Sequence, residues 1–334
     1  MAAFEKELNG MGGEMGVHAL YLLFLPMPFY CTYVYGTIPM MFLTACSLLC
    51  FVRYVRRGDA KNGVGFALCM GLSAVMKPNA MIPMLAVAIC AVLHAMRSRD
   101  FRAIGYAVLM AALCVLLPRL AVWQYELRSG ARFTGDISML ARLVMGFQRS
   151  ATGAGWFNNY IDQYSTWLME PEAAKQLILA DLREIFAGFA AAPATFVRFA
   201  AEKCASLWLE PTYSTLWHGV VCETTGRFNG LANMVYRETG ALRMPLERIM
   251  DALQQAVYVL SVVGAAGCMK KRGDPVQVLL PAIVLGGFLY HLLFEAKSQY
   301  VFVYAFFLMP LAAQGLCILE TCIQNAWKAK RASR

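Results

Sequence analysis

Residues 276–320 read VQVLLPAIVLGGFLYHLLF (276–294), EAKS (295–298) and QYVFVYAFFLMPLAAQGLCILE (299–320). A membrane-spanning helix needs about 20 predominantly apolar residues, so each of the two apolar runs is long enough to cross a bilayer. Three of the four residues between them are polar, and the four would lie at the membrane surface. This stretch predicts two neighbouring transmembrane helices joined by a tight turn, and the same pattern recurs along the chain.

The composition agrees with a membrane protein. The 334-residue chain is 59% hydrophobic and 15% charged, whereas a soluble domain is nearer one half apolar and one quarter charged. The window argument predicts an all-α, polytopic transmembrane helical bundle of about eight spans. The candidate spans are 17–35, 37–55, 62–76, 80–96, 103–123, 252–269, 276–294 and 299–320.

Three regions are expected. Residues 1–123 would form an N-terminal membrane bundle of five spans, and residues 252–334 a C-terminal bundle of three spans with a basic cytoplasmic tail. Between them, residues 124–251 turn polar and aromatic, which predicts one large extracytoplasmic loop domain. No internal repeat is visible, which weighs against transporters built from duplicated halves.

Two helices are expected inside this loop domain, at 172–190 and 193–209. Their periodicity fits helices on the membrane surface and ordinary loop-domain helices equally well. The apolar stripe of the second helix comprises Phe196, Phe199, Ala200, Cys204 and Leu207, with Arg198, Glu202 and Lys203 off that stripe.

Basic residues occur at every second junction between apolar blocks, as the positive-inside rule requires of cytoplasmic loops. This pattern places both termini in the cytoplasm and the large loop outside. The net charge of +9 is therefore explained by membrane orientation, and no nucleic-acid partner is expected. The basic clusters are Arg53, Arg56, Arg57 and Lys61; Arg97, Arg99 and Arg102; Lys270, Lys271 and Arg272; and Lys328, Lys330, Arg331 and Arg334.

The first candidate binding motif is Met76-Lys77-Pro78-Asn79, at an outer helix end. Pro78 disfavours helix at the residue before it and frees backbone groups. An ionisable residue inside or near the membrane is a functional candidate, and Lys77 suits an anion such as a phosphate. A lysine that snorkels from a helix end is the structural alternative.

The second candidate motif is the polar linker 294–300, in which Glu295, Lys297, Gln299 and Tyr300 follow a strongly apolar run. A cation and a phenol on one helix face suit a phosphate or a sugar. An interfacial belt that only anchors the helix is the alternative.

A third candidate is the loop 153–162, in which aromatic and amide groups such as Trp156 and Asn158 suit carbohydrate recognition. Packing of the loop core is the alternative. Asp162 is a weak candidate for a catalytic base. The histidines and cysteines show no metal-site spacing, so no metal ligand is assigned from the residues.

The order of these motifs resembles bacterial membrane glycosyltransferases of family 39 and the dolichyl-phosphate-mannose-protein mannosyltransferase type, which have the GT-C fold. The similar segments are Tyr33-Val34-Tyr35-Gly36-Thr37-Ile38-Pro39, Met76-Lys77-Pro78-Asn79, Gly155-Trp156-Phe157-Asn158, Lys203 through Trp208-Leu209-Glu210-Pro211-Thr212, and Glu295-Ala296-Lys297-Ser298-Gln299-Tyr300.

The resemblance implies an enzyme of the bacterial plasma membrane and cell envelope. It would transfer a hexose or pentose from a polyprenyl-phosphate donor to an extracytoplasmic glycan, lipid or protein. It also implies a divalent metal, magnesium or manganese, in many members. Lys77 and Lys297 would lie together near the lipid phosphate, with Asn79, Glu295, Gln299 and Tyr300 orienting the sugar phosphate and the Trp156 loop over the acceptor.

The resemblance is incomplete at its catalytic residue. Similar enzymes carry an aspartate in the first outer loop, often as Tyr-Gly-Asp, where this chain has Thr37. The resemblance therefore implies that the chain begins about two or more spans late, and that it is a fragment, has a misplaced gene start or is an inactive relative. A non-catalytic membrane protein that binds lipid-linked sugar or a cell-envelope assembly partner is the second hypothesis. A transporter is the third.

Overall fold

The computed structural model describes residues 1–9, 11–31, 35–132, 139–164, 170–216, 230–270 and 274–332. Across these ranges the chain is helical, and it forms no strand beyond an isolated bridge between Arg149 and Ala154. The all-α prediction is confirmed for this part of the chain. Contacts divide it into two compact units: unit 1 (1–123, 215–286 and 303–334) and unit 2 (124–214 and 287–302).

The α-helices of the described ranges are, in chain order, α1 (Ala2–Asn9), α2 (Met11–Leu23), α3 (Pro26–Cys31), α4 (Thr37–Arg57), α5 (Ala60–Met76), α6 (Met81–Ser98), α7 (Arg102–Ser129), α8 (Met139–Gly146), α9 (Pro171–Ala191), α10 (Pro193–Trp208), α11 (Gly230–Tyr236), α12 (Arg243–Lys270), α13 (Leu279–Leu293) and α14 (Ser298–Ala332). Short 3-10 turns cover Pro78–Ala80, Tyr160–Tyr164 and Pro275–Val278.

Six helical segments within the described residues are long and apolar enough to cross a bilayer. They coincide with six of the eight predicted spans, and they make the chain an integral membrane protein. The segments are Thr37–Arg57, Pro78–Ser98, Arg102–Ser129, Arg243–Met269, Pro275–Leu293 and Ser298–Arg331.

The other two predicted spans are not among these six segments. The block 17–35 does not form one continuous helix. Pro26 has no N–H to donate, and it disfavours helix at Leu25, the residue before it, so the hydrogen-bond ladder is interrupted between α2 and α3. Residues 32–34 lie outside the described residues. The block 62–76 forms the 17-residue helix α5, which covers about 25 Å of a core about 30 Å thick. The count of eight spans stays a prediction.

Small and hydroxyl side chains bring the helices of unit 1 close together. Ser47 on α4 donates a hydrogen bond to the Phe66 carbonyl of α5 at 2.7 Å. Where α12 crosses α14, a Cβ on Gly264 would lie 1.9 Å from the Leu311 carbonyl oxygen, and Gly315 is equally confined. Membrane helices use small residues to approach in this way, since apolar burial does not drive their association.

Polar contacts join the basic junctions of unit 1 to one another. The Arg56 guanidinium at the end of α4 donates to Asp274 at 2.6 Å, and the Tyr54 hydroxyl donates to Asp100 at 2.7 Å. Three junctions that were predicted to be cytoplasmic therefore lie at the same end of unit 1. The side of the membrane that this end faces stays a prediction.

Unit 2 is built around helices α8, α9 and α10. The helices α9 and α10 each begin with a proline in the first turn, and their bounds confirm the two helices predicted at 172–190 and 193–209. The predicted loop domain 124–251 is divided between the two units. Its position outside the membrane stays a prediction.

The buried stripe of α10 differs from the predicted one. It consists of Phe199, Lys203 and Leu207, spaced four residues apart, whereas Phe196 is 40% exposed. The expectation that Lys203 lies off the stripe was wrong. Its long aliphatic stem packs in the core while its ammonium group finds backbone acceptors, which periodicity does not register.

Candidate functional site

The Lys77 junction follows from the proline beside it. Helix α5 ends at Met76, and Lys77 is extended, with φ −162° and ψ 135°, because Pro78 disfavours helix at the preceding residue. The prediction of a helix end here is confirmed. Asn79 follows in the 3-10 turn and is half-buried.

The Lys77 side chain is almost completely buried, at 7% exposure. Its Nζ donates to the Thr37 hydroxyl at 2.9 Å and lies 4.3 Å from the centre of the Tyr35 ring. The Tyr30 hydroxyl donates to the same Thr37 oxygen at 3.2 Å. Burial lowers the pKa of the Lys77 ammonium to about 8. The group is thus a desolvated cation held by a hydroxyl and an aromatic face.

Gly36 allows the two junctions of unit 1 to meet. A Cβ at this position would lie 2.2 Å from the Met76 carbonyl oxygen, which is far inside van der Waals contact. The backbone of the first junction therefore packs directly on the backbone that precedes Lys77, and this contact places Thr37 within reach of the ammonium group.

A second group of charges, which we call the Glu295 cluster, comprises Arg142, Glu295, Lys297 and Tyr300 in unit 2. Backbone hydrogen bonds fix its position. The Glu295 N–H donates to the Arg142 carbonyl at 3.1 Å, and the Ala296 N–H donates to the Gly155 carbonyl at 2.8 Å. The linker between α13 and α14 is therefore attached to α8 and to the following loop.

The side chains of the cluster surround a buried carboxylate. The Tyr300 hydroxyl donates to Glu295 at 3.2 Å, and the Arg142 guanidinium lies 4.0 Å from the same carboxylate, whose side chain is 11% exposed. Burial raises the pKa of the Glu295 carboxyl, against the opposing effects of Tyr300, Arg142 and Lys297. Burial likewise lowers the pKa of the Lys297 ammonium. Two cations and one carboxylate thus share a poorly solvated place.

The remaining predicted residues of this linker are ordered by the start of α14. That helix begins at Ser298, so Lys297 precedes its first turn, and its carbonyl accepts the Tyr300 N–H at 2.9 Å. Gln299 is buried. Glu295 and Tyr300 are therefore joined by a hydrogen bond, whereas the common helix face expected for Lys297 and Tyr300 stays a prediction, because the helix begins after Lys297.

Lys203 is the residue whose position the sequence did not predict. It is completely buried, and its Nζ donates to three carbonyl oxygens, of Gly146 at 2.6 Å, Leu292 at 3.0 Å and Phe294 at 2.8 Å. These carbonyls lie at the C-terminal ends of α8 and α13, where helix dipoles favour a cation and carbonyls lack helical partners. The ammonium group therefore caps two helices and binds Phe294, the residue before Glu295.

Two glycines make room for the Lys203 side chain. A Cβ on Gly155, whose φ is +76°, would lie 2.5 Å from Lys203 Cε. A Cβ on Gly146 would lie 2.3 Å from the Leu293 carbonyl oxygen. Any larger residue at either position would displace the lysine or the end of α13, so the Gly155 motif has a structural role here.

The predicted acceptor loop is held by internal bonds. The Trp156 indole N–H donates to the Ser206 hydroxyl at 3.0 Å, and the Asn158 amide donates to the Gln148 side chain at 2.8 Å. Asn158 and Gln148 also line a cavity of about 550 Å³ whose other walls include Phe147, Ile185, Phe189 and Phe199. The loop is structured, and one predicted binding residue faces a cavity of ligand size.

Asp162 is exposed at the surface of unit 2. The nearby tyrosines bind a different carboxylate, that of Asp181. It accepts hydrogen bonds from the Tyr160 hydroxyl at 2.6 Å and from the Tyr164 hydroxyl at 3.0 Å. This pairing and burial raise the pKa of the Tyr160 phenol. Asp181 thus stabilises the loop rather than presenting a free base.

The predicted site residues fall in both units. Lys77 and Asn79 belong to unit 1, whereas the Glu295 cluster, Trp156 and Asn158 belong to unit 2. Their expected assembly around one lipid phosphate stays a prediction. In the described ranges no group of three or more histidine, cysteine, aspartate or glutamate side chains could hold a metal ion, so the residues described do not fit the divalent metal that the resemblance implies.

No protein-family model matches the chain, and no curated protein or solved structure matches it significantly.

Proposed function

We propose that the chain is a membrane glycosyltransferase. It would transfer a sugar from a polyprenyl-phosphate donor to a glycan, lipid or protein acceptor on the extracytoplasmic side of a bacterial plasma membrane. The Glu295 cluster carries this proposal, because it combines cations, a carboxylate and a phenol at the junction of two membrane helices.

The charges of the cluster suit a phosphate that is leaving. When the bond between sugar and phosphate breaks, negative charge grows on the phosphate oxygens, and cations already in place stabilise it without reorganisation. Arg142 and Lys297 would supply these cations, since both lie within electrostatic range of Glu295. A desolvated ammonium gains more from a bound anion than a hydrated one does.

The polar groups of the cluster suit the sugar. Glu295 and Tyr300 are hydrogen-bonded to each other, and together they offer one acceptor and one phenol to the hydroxyls of a hexose or pentose. Gln299 would add an amide, whereas Lys77 and Asn79 would form a separate anion site within unit 1. Glu295, whose pKa is raised by burial, is a better candidate for moving a proton than the exposed Asp162.

One observation favours a non-catalytic function. Thr37, which stands where similar enzymes carry an aspartate, already binds both Lys77 and Tyr30 through its hydroxyl. A protein that binds lipid-linked sugar without transferring it would need the cations of the two junctions and no carboxylate at this position.

The two functions can be separated by measuring transfer and binding on the same variants. Membranes containing the chain would be supplied with radiolabelled polyprenyl-phosphate sugar, and both retained donor and labelled acceptor would be counted. Under the enzyme hypothesis Lys297→Met and Arg142→Met abolish transfer and weaken donor binding. Under the binding hypothesis wild type binds donor and no labelled acceptor forms.

The matched control is Lys175→Met, which removes an exposed lysine on α9 of the same unit, one that pairs with the exposed Glu172. This variant should transfer and bind like wild type. Undiminished transfer by both Lys297→Met and Arg142→Met would refute the assignment of the cluster.

A further inference from the structure

The tip of the α9–α10 hairpin is free of charge. Between Glu184 and Arg198 the chain reads IFAGFAAAPATFV, residues 185–197, in which Thr195 has the one polar side chain. We call this segment the hairpin tip. Such a run at the turn of two helices is unusual for a surface that meets only water, because a water-facing turn is normally polar.

The hairpin tip is also exposed. Every residue from 190 to 198 is exposed, and the larger side chains Phe186, Phe196 and Val197 are 44%, 40% and 65% exposed. A Cβ placed on Gly188 would meet no described atom within 4 Å. The tip therefore presents a contiguous apolar surface that this unit leaves uncovered, which marks an interaction site.

Part of the backbone of the tip is hydrogen-bonded within the turn itself. The Ala192 N–H at the turn donates to the Gly188 carbonyl at 3.1 Å, the Thr195 N–H donates to the Ala192 carbonyl at 2.9 Å, and Pro193 has no N–H to satisfy. A segment that enters hydrocarbon must hydrogen-bond its own backbone groups. The Ala192 and Thr195 N–H groups meet that condition.

The base of the same hairpin is attached to a membrane helix. Lys203 on α10 binds the carbonyls of Leu292 and Phe294 at the end of α13, and the Trp208 ring lies 5.8 Å from the ring of Phe288. The hairpin base therefore lies at the end of a helix that is long and apolar enough to cross a bilayer, and 6 to 10 residues of helix from Lys203 to the tip span about 9–15 Å.

Two arginines border the tip. Arg183 on α9 and Arg198 on α10 are both exposed, and each lies at the edge of the uncharged segment on its own helix. Cations at the boundary of an apolar segment pair with lipid phosphates while the apolar part enters the acyl region. The rise from residue 185 to residue 192 is about 10 Å, which matches the burial depth of about 5–10 Å of interfacial helices.

We propose that the hairpin tip is a lipid-contacting surface that inserts into the bilayer interface beside helix α13, with Arg183 and Arg198 at the phosphate level. Lipid, rather than a second protein, is the occupant because the tip lacks charge, the arginines border it on both helices, and the hairpin base is fixed to a membrane helix.

The test uses the full chain in nanodiscs of phosphatidylcholine and phosphatidylglycerol. A photo-cross-linking residue, p-benzoylphenylalanine, replaces Phe196 in one sample and Phe157 in the control. Phe157 is 45% exposed and lies in the polar loop of the same unit, so both positions present a comparable aromatic side chain. Lipid adducts are counted by mass spectrometry after illumination, and we expect at least about five times more adduct at position 196.

A second pair of variants controls for a folding defect. In the Phe196 probe protein, Ala194→Glu should reduce the lipid adduct several-fold, because it places a charge in the apolar phase. Ala194→Gln should reduce it less, and circular dichroism should show the same helix content in both, since Ala194 is exposed.

Equal adduct yields at positions 196 and 157 would overturn the proposal. Cross-links from position 196 to a second copy of the chain, or an adduct unaffected by Ala194→Glu, would also overturn it. The measurement reports lipid contact and not sugar transfer, so its outcome does not depend on the proposed function.

Discussion

Replacing Lys203 with methionine tests the most heavily bonded cation in the structure. Lys203→Met keeps an unbranched side chain of similar length but removes the three N–H groups that bind the carbonyls of Gly146, Leu292 and Phe294. Each buried carbonyl that loses its donor costs about 1 kcal/mol or more, and three carbonyls lose theirs while no unpaired charge is left behind. We expect destabilisation of about 3 kcal/mol.

The assay is thermal unfolding of the purified chain in nanodiscs, combined with hydrogen exchange of its backbone amides. A loss of about 3 kcal/mol should lower the Tm by about 5 °C in a chain of this size. Exchange should accelerate around residues 146 and 292–295, because the carbonyls there lose their cap. The local change distinguishes loss of the cap from general destabilisation.

The matched control is Lys175→Met, whose side chain is 51% exposed and pairs with an exposed glutamate. Exposed pairs contribute less than about 1 kcal/mol, so the control should keep the wild-type Tm. If Lys203→Met unfolds within about 1 °C of this control, the three bonds do not stabilise the ends of α8 and α13, and the account of how the linker is held is wrong.

Three further changes probe other contacts. A double-mutant cycle of Thr37→Val with Lys77→Met should give a coupling of about 1–2 kcal/mol in unfolding by denaturant; additive effects would deny the hydrogen bond. Gly264→Ala should lower the Tm sharply, since its Cβ meets a backbone oxygen, whereas Gly105→Ala, where a Cβ meets nothing within 4 Å, should not. Folding raises the pKa of the Glu295 carboxyl, so wild type loses stability as the pH rises above about 4.5, whereas Glu295→Gln does not. The variant should therefore become more stable relative to wild type over this range. A difference in Tm that does not change with pH would contradict this.

Local rules predicted the features that depend on neighbours in the chain. Pro78 alone determined the end of α5 at Met76, and the proline starts of α9 and α10 gave those helices to within a residue or two. Six membrane helices followed from apolar length. These are effects of backbone sterics and of hydrophobic runs, which the sequence displays directly.

The same rules did not predict contacts between residues that are far apart in the sequence. Arg142 lies 4.0 Å from Glu295, yet the two are far apart in sequence, and the caps that Lys203 provides join three separate segments. The helical periodicity of α10 classed Lys203 as a surface residue, because periodicity registers polarity and not the carbonyl oxygens that can accept its protons. Gly155 and Gly146 could have indicated these contacts, since a glycine is needed where a bulky buried side chain or another backbone segment approaches the chain closely.

The interruption of the block 17–35 shows the limit of counting apolar residues. The composition there is sufficient for a span, but Pro26 removes a donor and restricts the residue before it. The chain then forms α2 and α3 with a break between them. Composition reports the preference for an apolar environment, whereas the helix depends on each backbone N–H.

The central claim is that the Glu295 cluster binds the phosphate of a polyprenyl lipid. The most direct test measures the affinity of the wild-type chain and of Lys297→Met for a polyprenyl phosphate and for the matching polyprenol, in nanodiscs, by native mass spectrometry. The account predicts that wild type binds the phosphate at least about tenfold more tightly than the alcohol, and that Lys297→Met removes most of this difference. Equal affinity of the wild-type chain for phosphate and alcohol would contradict it.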